Sequence, residues 1–383
     1  MIRPESKGNC WRVFAAKIEP MILRATSSPE QLTRQVLDAL VDSGKTPGFQ
    51  YVFTSADEML LAHHGGLANP QAQRQVRLDT TFNSYSVTKT LTAASVLKLV
   101  DQGLVDLDRP IAQYCDHWPQ SGTATVRQAL LHTAGFANPN PLAWVHLDRE
   151  PFAFDRRRFV DDLLRAHSRP ISKPGTRYAY SNIGYLLLGE LIDRVSGQRY
   201  VQYVTEHLIA PLRLDNGATL AFDIPKPAIH ARGTLKRFGW FNAVLGCLID
   251  RDRLVDTTAG RWVQFRNHHV NGDAYGGLIG NAHGLARYAQ ALLAGDKLIS
   301  PISRDLLFTT QPAPGPARSL AWFAGRLDDE PWYAHAGGGA GYYSEIRVYP
   351  RIDRASVVMF NRTGIRDEHA LDRLDRCLVA SKR

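Results

Sequence analysis

The sequence predicts an α+β protein: an antiparallel β-sheet flanked by N- and C-terminal helices, interrupted by an inserted, mainly helical domain. Three observations carry that reading. β-branched and aromatic runs gather near both ends of the chain, helical periodicity dominates the middle, and an amphipathic helix stands outside the strands at each end. The corresponding division is an N-terminal extension (1–27), a sheet domain built from 28–115 and 271–383, and a helical domain (116–270) with a basic, aromatic-containing insertion.

The first helix is read from "SPEQLTRQVLDALVDSG", Ser28 to Gly44. Ser-Pro-Glu starts it, Leu32, Val36, Leu37, Leu40 and Val41 repeat at helical intervals, and a glycine closes it. "FQYVFTS" and "EMLLAHHGG" form a β-hairpin around Ala56 and Asp57. In "DTTFNSYSVTKTLTAASVLKLVDQG" β-type residues give way to a helical repeat at Leu91, Ala94, Ser95, Leu97 and Val100, and Ser86 falls at the change. Helices follow at "VRQALLHTAG", "FVDDLLRAH" and "NIGYLLLGELIDRVSG", joined by Pro-rich connections. Phe222 to Asp273 has no clear period and carries Trp240, Phe241, Trp262 and Phe265 among basic residues. "NAHGLARYAQALLAG" is helical, "SLAWFAGRL", "PWYAHAG", "YYSEIRVYP" and "ASVVMFN" alternate as strands, and "HALDRLDRCLVAS" closes the chain as a helix.

With 383 residues, 44% hydrophobic and 22% charged, the chain is long enough for two packed units and has no bias toward disorder, collagen or coiled coil. Its formal net charge is +9, and between Pro225 and Val270 eight Lys and Arg stand against three Asp. That stretch is read first as a solvated basic surface, and second as a contact for an anionic substrate, membrane or partner. Nucleic acid is not expected as a partner, because no zinc-finger spacing, RNA-recognition signature or continuous basic helix accompanies the charge. Cys10, Cys115, Cys247 and Cys377 make no C-x-x-C, so neither a zinc site nor a dithiol centre is signalled and reduced thiols are expected. The run "CWRVFAAKIEPMIL" is broken by Arg12, Lys17, Glu19 and Pro20, which argues against a signal peptide. No stretch reaches the roughly 18 apolar residues of a membrane span. A cytoplasmic protein without a membrane span is therefore expected, with Met21 as an alternative start.

Ser-x-x-Lys occurs twice, as Ser86 with Lys89 and as Ser95 with Lys98. Ser86 lies at a helix start, where free N–H groups and the positive dipole end favour developing negative charge. Lys89, three residues on, shares its face. Ser95 is nine residues further, and nine steps of about 100° turn it roughly 180° away, to a mid-helix position suited to packing. G-x-S-x-G and H-E-x-x-H are absent, and "SGKT" at Ser43 to Thr46 lacks the earlier glycine of a P-loop. Without a local histidine elbow, the base for a nucleophilic Ser86 has to be the lysine or a group it acts upon.

Two further motifs follow in order: "YSN" at Tyr180, Ser181 and Asn182, and "HAG" at His335, Ala336 and Gly337. With "SVTK", and with "LLHTAG", "PGTRYAYSNIGYLLLGELIDRVSG" and "YGGLIGNAHGLARYAQALLAG" in support, the chain resembles the serine β-lactamase and penicillin-binding protein superfamily from about Leu32 to Thr363. The resemblance is to the branch of class C β-lactamases, D-aminopeptidases, D,D-carboxypeptidases and related esterases.

It implies a β-lactamase/transpeptidase-like fold and a two-step acyl transfer without metal or cofactor. Ser86 would attack the carbonyl, while Lys89 and Tyr180 hold and shuttle its proton, with Tyr180 ionised by neighbouring positive charge and acting as general base. The N–H groups of Ser86 and Gly338 would form the oxyanion hole. Asn182 would orient Lys89 or the substrate amide, and His335 would face the cleft from the strand edge. Two departures from the family pattern matter. His335 replaces the lysine of the Lys-Thr-Gly form, making that charge pH-dependent, and Ala336 lacks the hydroxyl that helps β-lactam-binding relatives grip the substrate carboxylate. The first expectation is accordingly a serine hydrolase of a small ester, amide or peptide, most simply a carboxylesterase with weak or no β-lactamase activity. The alternatives are a β-lactamase or D-amino-acid-specific peptidase, and a catalytically silent binding protein of the same fold.

Overall fold

The computed structural model describes residues 27–115, 122–139, 144–148, 155–239, 249–295, 297–363 and 370–381. The extension up to residue 26, Cys10, Cys247, Trp240 and Phe241 lie outside the described residues. Helix α1 (Pro29–Asp42) starts at Ser28, whose hydroxyl accepts from the Gln31 N–H while the Gln31 side chain accepts from the Ser28 N–H. This capping box satisfies two orphan donors of the first turn. The hairpin follows as β1 (Gly48–Ser55) and β2 (Met59–Asn69), with β3 (Arg74–Gln75) paired beyond it.

Strands β1 to β3 join strands from the other end of the chain. A short β4 (Phe82–Asn83) and a 3₁₀ turn (Tyr85–Val87) lead into α2 (Thr88–Asp101). Then come β5 (Val145–Leu147), α3 (Arg156–Ala166), α4 (Asn182–Ser196), β6 (Leu220–Ala221) and β7 (Thr234–Lys236). They are followed by β8 (Val255–Ala259), β9 (Trp262–Phe265), β10 (His268–Val270), β11 (Ile279–Gly280) and α5 (Ala282–Ala294). The last strands are β12 (Phe323–Leu327), β13 (Glu330–Gly339), β14 (Tyr342–Tyr349) and β15 (Arg354–Phe360), before α6 (Ala370–Ala380). The main sheet is antiparallel throughout, in the order β12-β13-β14-β15-β1-β2-β3.

Period two sorts β1 between two cores. Phe49, Tyr51 and Phe53 face α1 and α6, packing with Leu37, Leu371, Leu374 and Leu378, whereas Val52 points to the opposite face with Val357, Met359 and Ala286 of α5. The α6 face also holds a polar knot. Asp375 accepts from Tyr51 (2.7 Å), Tyr349 (2.7 Å) and Ser356 (2.5 Å), and the buried Arg347 donates to Glu345 (2.9 Å) and Asp372 (2.5 Å). Behind the sheet, α2 is buried on nearly all sides, which its small Thr, Ala and Ser residues permit.

The described residues of the stretch with no readable period include four short strands. β7, β9 and β8 form one small sheet and β10 pairs with β5, over a core of Val145, Leu235, Leu254, Val263 and Phe265. Three to five residues per strand are too few for alternation to register. Part of the basic surplus is locally neutralised: Arg232 and Arg266 lie 3.7 and 3.8 Å from Asp256. Among the described residues no helix is long and apolar enough to cross a membrane.

Candidate active site

Ser86 occupies the 3₁₀ turn rather than the first turn of α2 itself, and the turn is pinned from several sides. The Ser84 N–H donates to the Leu278 carbonyl (2.8 Å), the Ser344 hydroxyl donates to the Ser84 carbonyl (2.7 Å), and Thr88 Oγ1 donates to the Tyr85 carbonyl (2.6 Å). Lys89 follows one turn later. Its Nζ lies 2.9 Å from Ser86 Oγ and donates to the Tyr275 carbonyl at 2.7 Å. Tyr180, which precedes α4, donates its phenol to Ser86 Oγ at 2.9 Å. The helix start that delivers it is capped by Ser181, whose hydroxyl accepts from the Gly184 N–H.

Burial sets the charge states. Lys89 is fully buried, ringed by Tyr180, Tyr185 and Tyr275 with centroids 5.1 to 5.4 Å from Nζ, and both its hydrogen-bonding neighbours are neutral oxygens. Desolvation pushes its amine well below the ordinary 10.5. The same burial raises the Tyr180 phenol, outweighing the opposing hydrogen bond to Ser86. The expected ionised Tyr180 is therefore corrected: the arrangement favours a neutral amine able to take the Ser86 proton and a phenol able to give one.

On the substrate side, a cavity of about 50 Å³ is walled by Ser86, Asn182, Gly338, Tyr275 and the valines Val145 and Val270. β13 presses its backbone against the nucleophile turn, since a Cβ on Gly337 would come within 2.2 Å of the Ser84 carbonyl oxygen and 2.7 Å of the Ser86 nitrogen. That contact explains the glycine.

Two expected roles change. His335 does not face the cleft: it is 1% exposed, its Nδ1 lies 2.5 Å from the Ala321 carbonyl, and burial, with the nearby Lys89, pushes its pKa down to about 3. It is a neutral interior histidine where a cation was expected to depend on pH. Asn182 lines the cavity, but Lys89 turns to Tyr275 instead. The Asn182 N–H donates to Asn138 Oδ1 (3.0 Å), and its own Oδ1 is buried with no partner among the described residues.

Ser95 and Lys98 stand apart from this site. Ser95 donates to the Leu91 carbonyl one turn back, and Lys98 to the Leu298 carbonyl. Sequence reasoning missed His132, whose ring stacks on Tyr180 at 4.2 Å and whose Nδ1 accepts the Ser181 N–H at 3.1 Å. It lies within "LLHTAG", so the signal was present without a role. Tyr275 acts through a backbone carbonyl, which no side-chain pattern reveals.

The chain is 26% identical to "Penicillin-binding protein 4" of Amycolatopsis lactamdurans over 333 residues, covering 82% of this chain and 80% of that one. It is 25% identical to "Protein flp" of Staphylococcus aureus (strain MW2) over 198 residues, 50% of this chain but only 38% of that protein's length. The fold matches the D-amino acid amidase of Ochrobactrum anthropi SV3, solved with D-phenylalanine, at a TM-score of 0.77 and 19% identity, over 93% of this chain and 100% of that one. The pattern of the Beta-lactamase family matches residues 33–380, and this protein belongs to that family.

Proposed function

We propose that this protein is a carboxylesterase that cleaves a small, uncharged ester or amide through an acyl-enzyme on Ser86, with weak or no action on β-lactams. One observation carries the reading: a single hydroxyl, Ser86 Oγ, lies 2.9 Å from both a buried amine and the phenol of a half-buried tyrosine. In the first step Ser86 Oγ bonds to the substrate carbonyl carbon while its proton moves to Lys89 Nζ. The oxygen that becomes negative is held by the N–H groups of Ser86 and Gly338. Collapse re-forms the carbonyl and breaks the bond to the leaving alcohol or amine, which receives the proton by way of the Tyr180 phenol. Water then adds to the acyl carbon with Lys89 as base, and the acid departs as Ser86 regains its proton.

The wall chemistry supports a neutral substrate. β-Lactams and C-terminal peptides carry a carboxylate, and D-amino acid amides carry an ammonium. Among the described residues that line the cavity there is neither a cationic nor an anionic side chain to pair with them. Ala336 adds no hydroxyl, and His335 is buried and neutral.

The test is to incubate the protein with a fluorophosphonate probe, short-chain p-nitrophenyl esters and a chromogenic cephalosporin, comparing wild type with Ser86→Ala and Ser95→Ala. Labelling and ester turnover are expected to vanish only with Ser86→Ala. Retained activity in Ser86→Ala overturns the assignment, and brisk cephalosporin turnover overturns the ranking of esterase above β-lactamase.

A further inference from the structure

The residue before the nucleophile is a tyrosine in a left-handed conformation, with φ of +47°. A non-glycine residue adopts that conformation at a cost, so something must hold it there. Two contacts do so. The Tyr85 carbonyl accepts from Thr88 Oγ1 (2.6 Å), which itself accepts from the Leu278 N–H (3.0 Å). At the far end of the side chain, the Tyr85 hydroxyl lies 2.8 Å from His268 Nε2.

The direction of that second bond follows from its neighbour. His268 Nδ1 lies 2.9 Å from the Arg266 carbonyl, which can only accept, so Nδ1 carries the proton. In a neutral imidazole Nε2 then accepts, and Tyr85 donates. Burial keeps His268 neutral, pushing its pKa down to about 4. Its backbone is fixed as well, because the His268 carbonyl accepts from Asn83 Nδ2 at 3.1 Å. The Tyr85 ring fits here because Gly339 leaves the space: a Cβ there would come within 2.7 Å of the ring.

The consequence falls on the Tyr85–Ser86 peptide. No peptide bond among the described residues is cis, and in a trans peptide the carbonyl and the N–H point in opposite directions. Fixing the Tyr85 carbonyl therefore fixes the Ser86 N–H. We propose that Tyr85 and His268 are positioning residues: their side-chain bond holds the strained Tyr85 backbone so that the Ser86 N–H faces the developing oxyanion. His268 lies on β10, two residues from Val270 in the cavity wall, so the same bond ties the nucleophile's backbone to the β5–β10 strand pair that gives the cavity Val145 and Val270. The inference rests on Ser86 being the acylated serine.

The experiment compares wild type, Tyr85→Phe, His268→Leu and His268→Gln, measuring kcat and KM with p-nitrophenyl acetate and the affinity for a small alkylboronic acid. Tyr85→Phe and His268→Leu are expected to lower kcat by about tenfold to a hundredfold, as a misplaced reacting geometry does. KM should stay near its wild-type value, and boronate affinity should fall by the same factor as kcat. His268→Gln keeps an amide oxygen able to accept the Tyr85 bond and should recover most of the loss. Wild-type kcat in both Tyr85→Phe and His268→Leu overturns the proposal, as does a loss confined to KM, which would make Tyr85 a wall only. Circular dichroism accompanies each variant, and the Gln against Leu comparison at 268 stands even if Tyr85→Phe folds poorly. Fluorophosphonate labelling of the wild type separates the two readings: an unlabelled Ser86 removes the hydrolase assignment, while a labelled wild type with unaffected variants removes only the positioning role.

Discussion

Lys89 Nζ and Ser86 Oγ lie 2.9 Å apart; Ser86 lines a cavity with no carboxylate in its described wall, and the amine behind it is fully buried. An ammonium in that place has lost its hydration without gaining a counter-ion among the described residues, so the neutral form is favoured.

This charge assignment sets the pH profile. kcat/KM should rise with pH as Lys89 loses its proton at a value well below 10.5, then fall only when the Tyr180 phenol ionises above its ordinary range. Tyr180→Phe should lower kcat yet keep the rising limb. Lys89→Arg, whose cation does not deprotonate, should lose about 10²- to 10⁴-fold in kcat. Disappearance of the rising limb in Tyr180→Phe would instead make the phenol the base.

Gly337→Ala probes the contact between β13 and the nucleophile turn. The new methyl would lie 2.2 Å from the Ser84 carbonyl oxygen, so the turn must move. We expect kcat to fall by about a hundredfold with the fold retained, as circular dichroism and steady-state kinetics can establish together.

His335 should give the fold an acid-labile component. Its folded pKa is pushed down to about 3, while the unfolded side chain titrates near 6.5. Between those values the unfolded chain binds a proton that the folded chain does not, so stability falls as pH drops through the window. In His335→Asn the slope of unfolding free energy against pH should be smaller by about 1.4 kcal/mol per pH unit between pH 6 and 4. Chemical denaturation across that range measures it, and an unchanged slope contradicts a neutral buried His335.

Asp375 closes α6 onto the sheet. Asp375→Ala strands the hydroxyls of Tyr51, Tyr349 and Ser356 and should cost about 3 kcal/mol. Asp375→Asn keeps one acceptor oxygen and should cost less than half of that. Urea unfolding distinguishes the two, and equal effects would mean that packing, not hydrogen bonding, is lost.

Much of this molecule was legible in its residue order because long elements repeat their pattern often enough to be seen. Helix α1, β14 and α6 fall within the stretches where periodicity placed them, and β1, β2, β13 and β15 overlap theirs while running one to three residues past an end. The strands β7 to β10 were not legible, being short and interrupted by charged residues. At the site, Ser86, Lys89 and Tyr180 come together as their motifs suggested, whereas the states of Tyr180 and His335 did not follow from their identities. Those states depend on burial, which a motif does not record. The roles of Tyr85, His268 and the Tyr275 carbonyl depend on backbone conformation and long-range register, invisible in any local window.

The most direct measurement is acid quench of the protein during turnover of a p-nitrophenyl ester, followed by peptide mass spectrometry. An acyl group is expected on Ser86 in the wild type and none in Ser86→Ala. Turnover with the acyl group on another residue, or with no adduct under conditions where deacylation is slow, would contradict it.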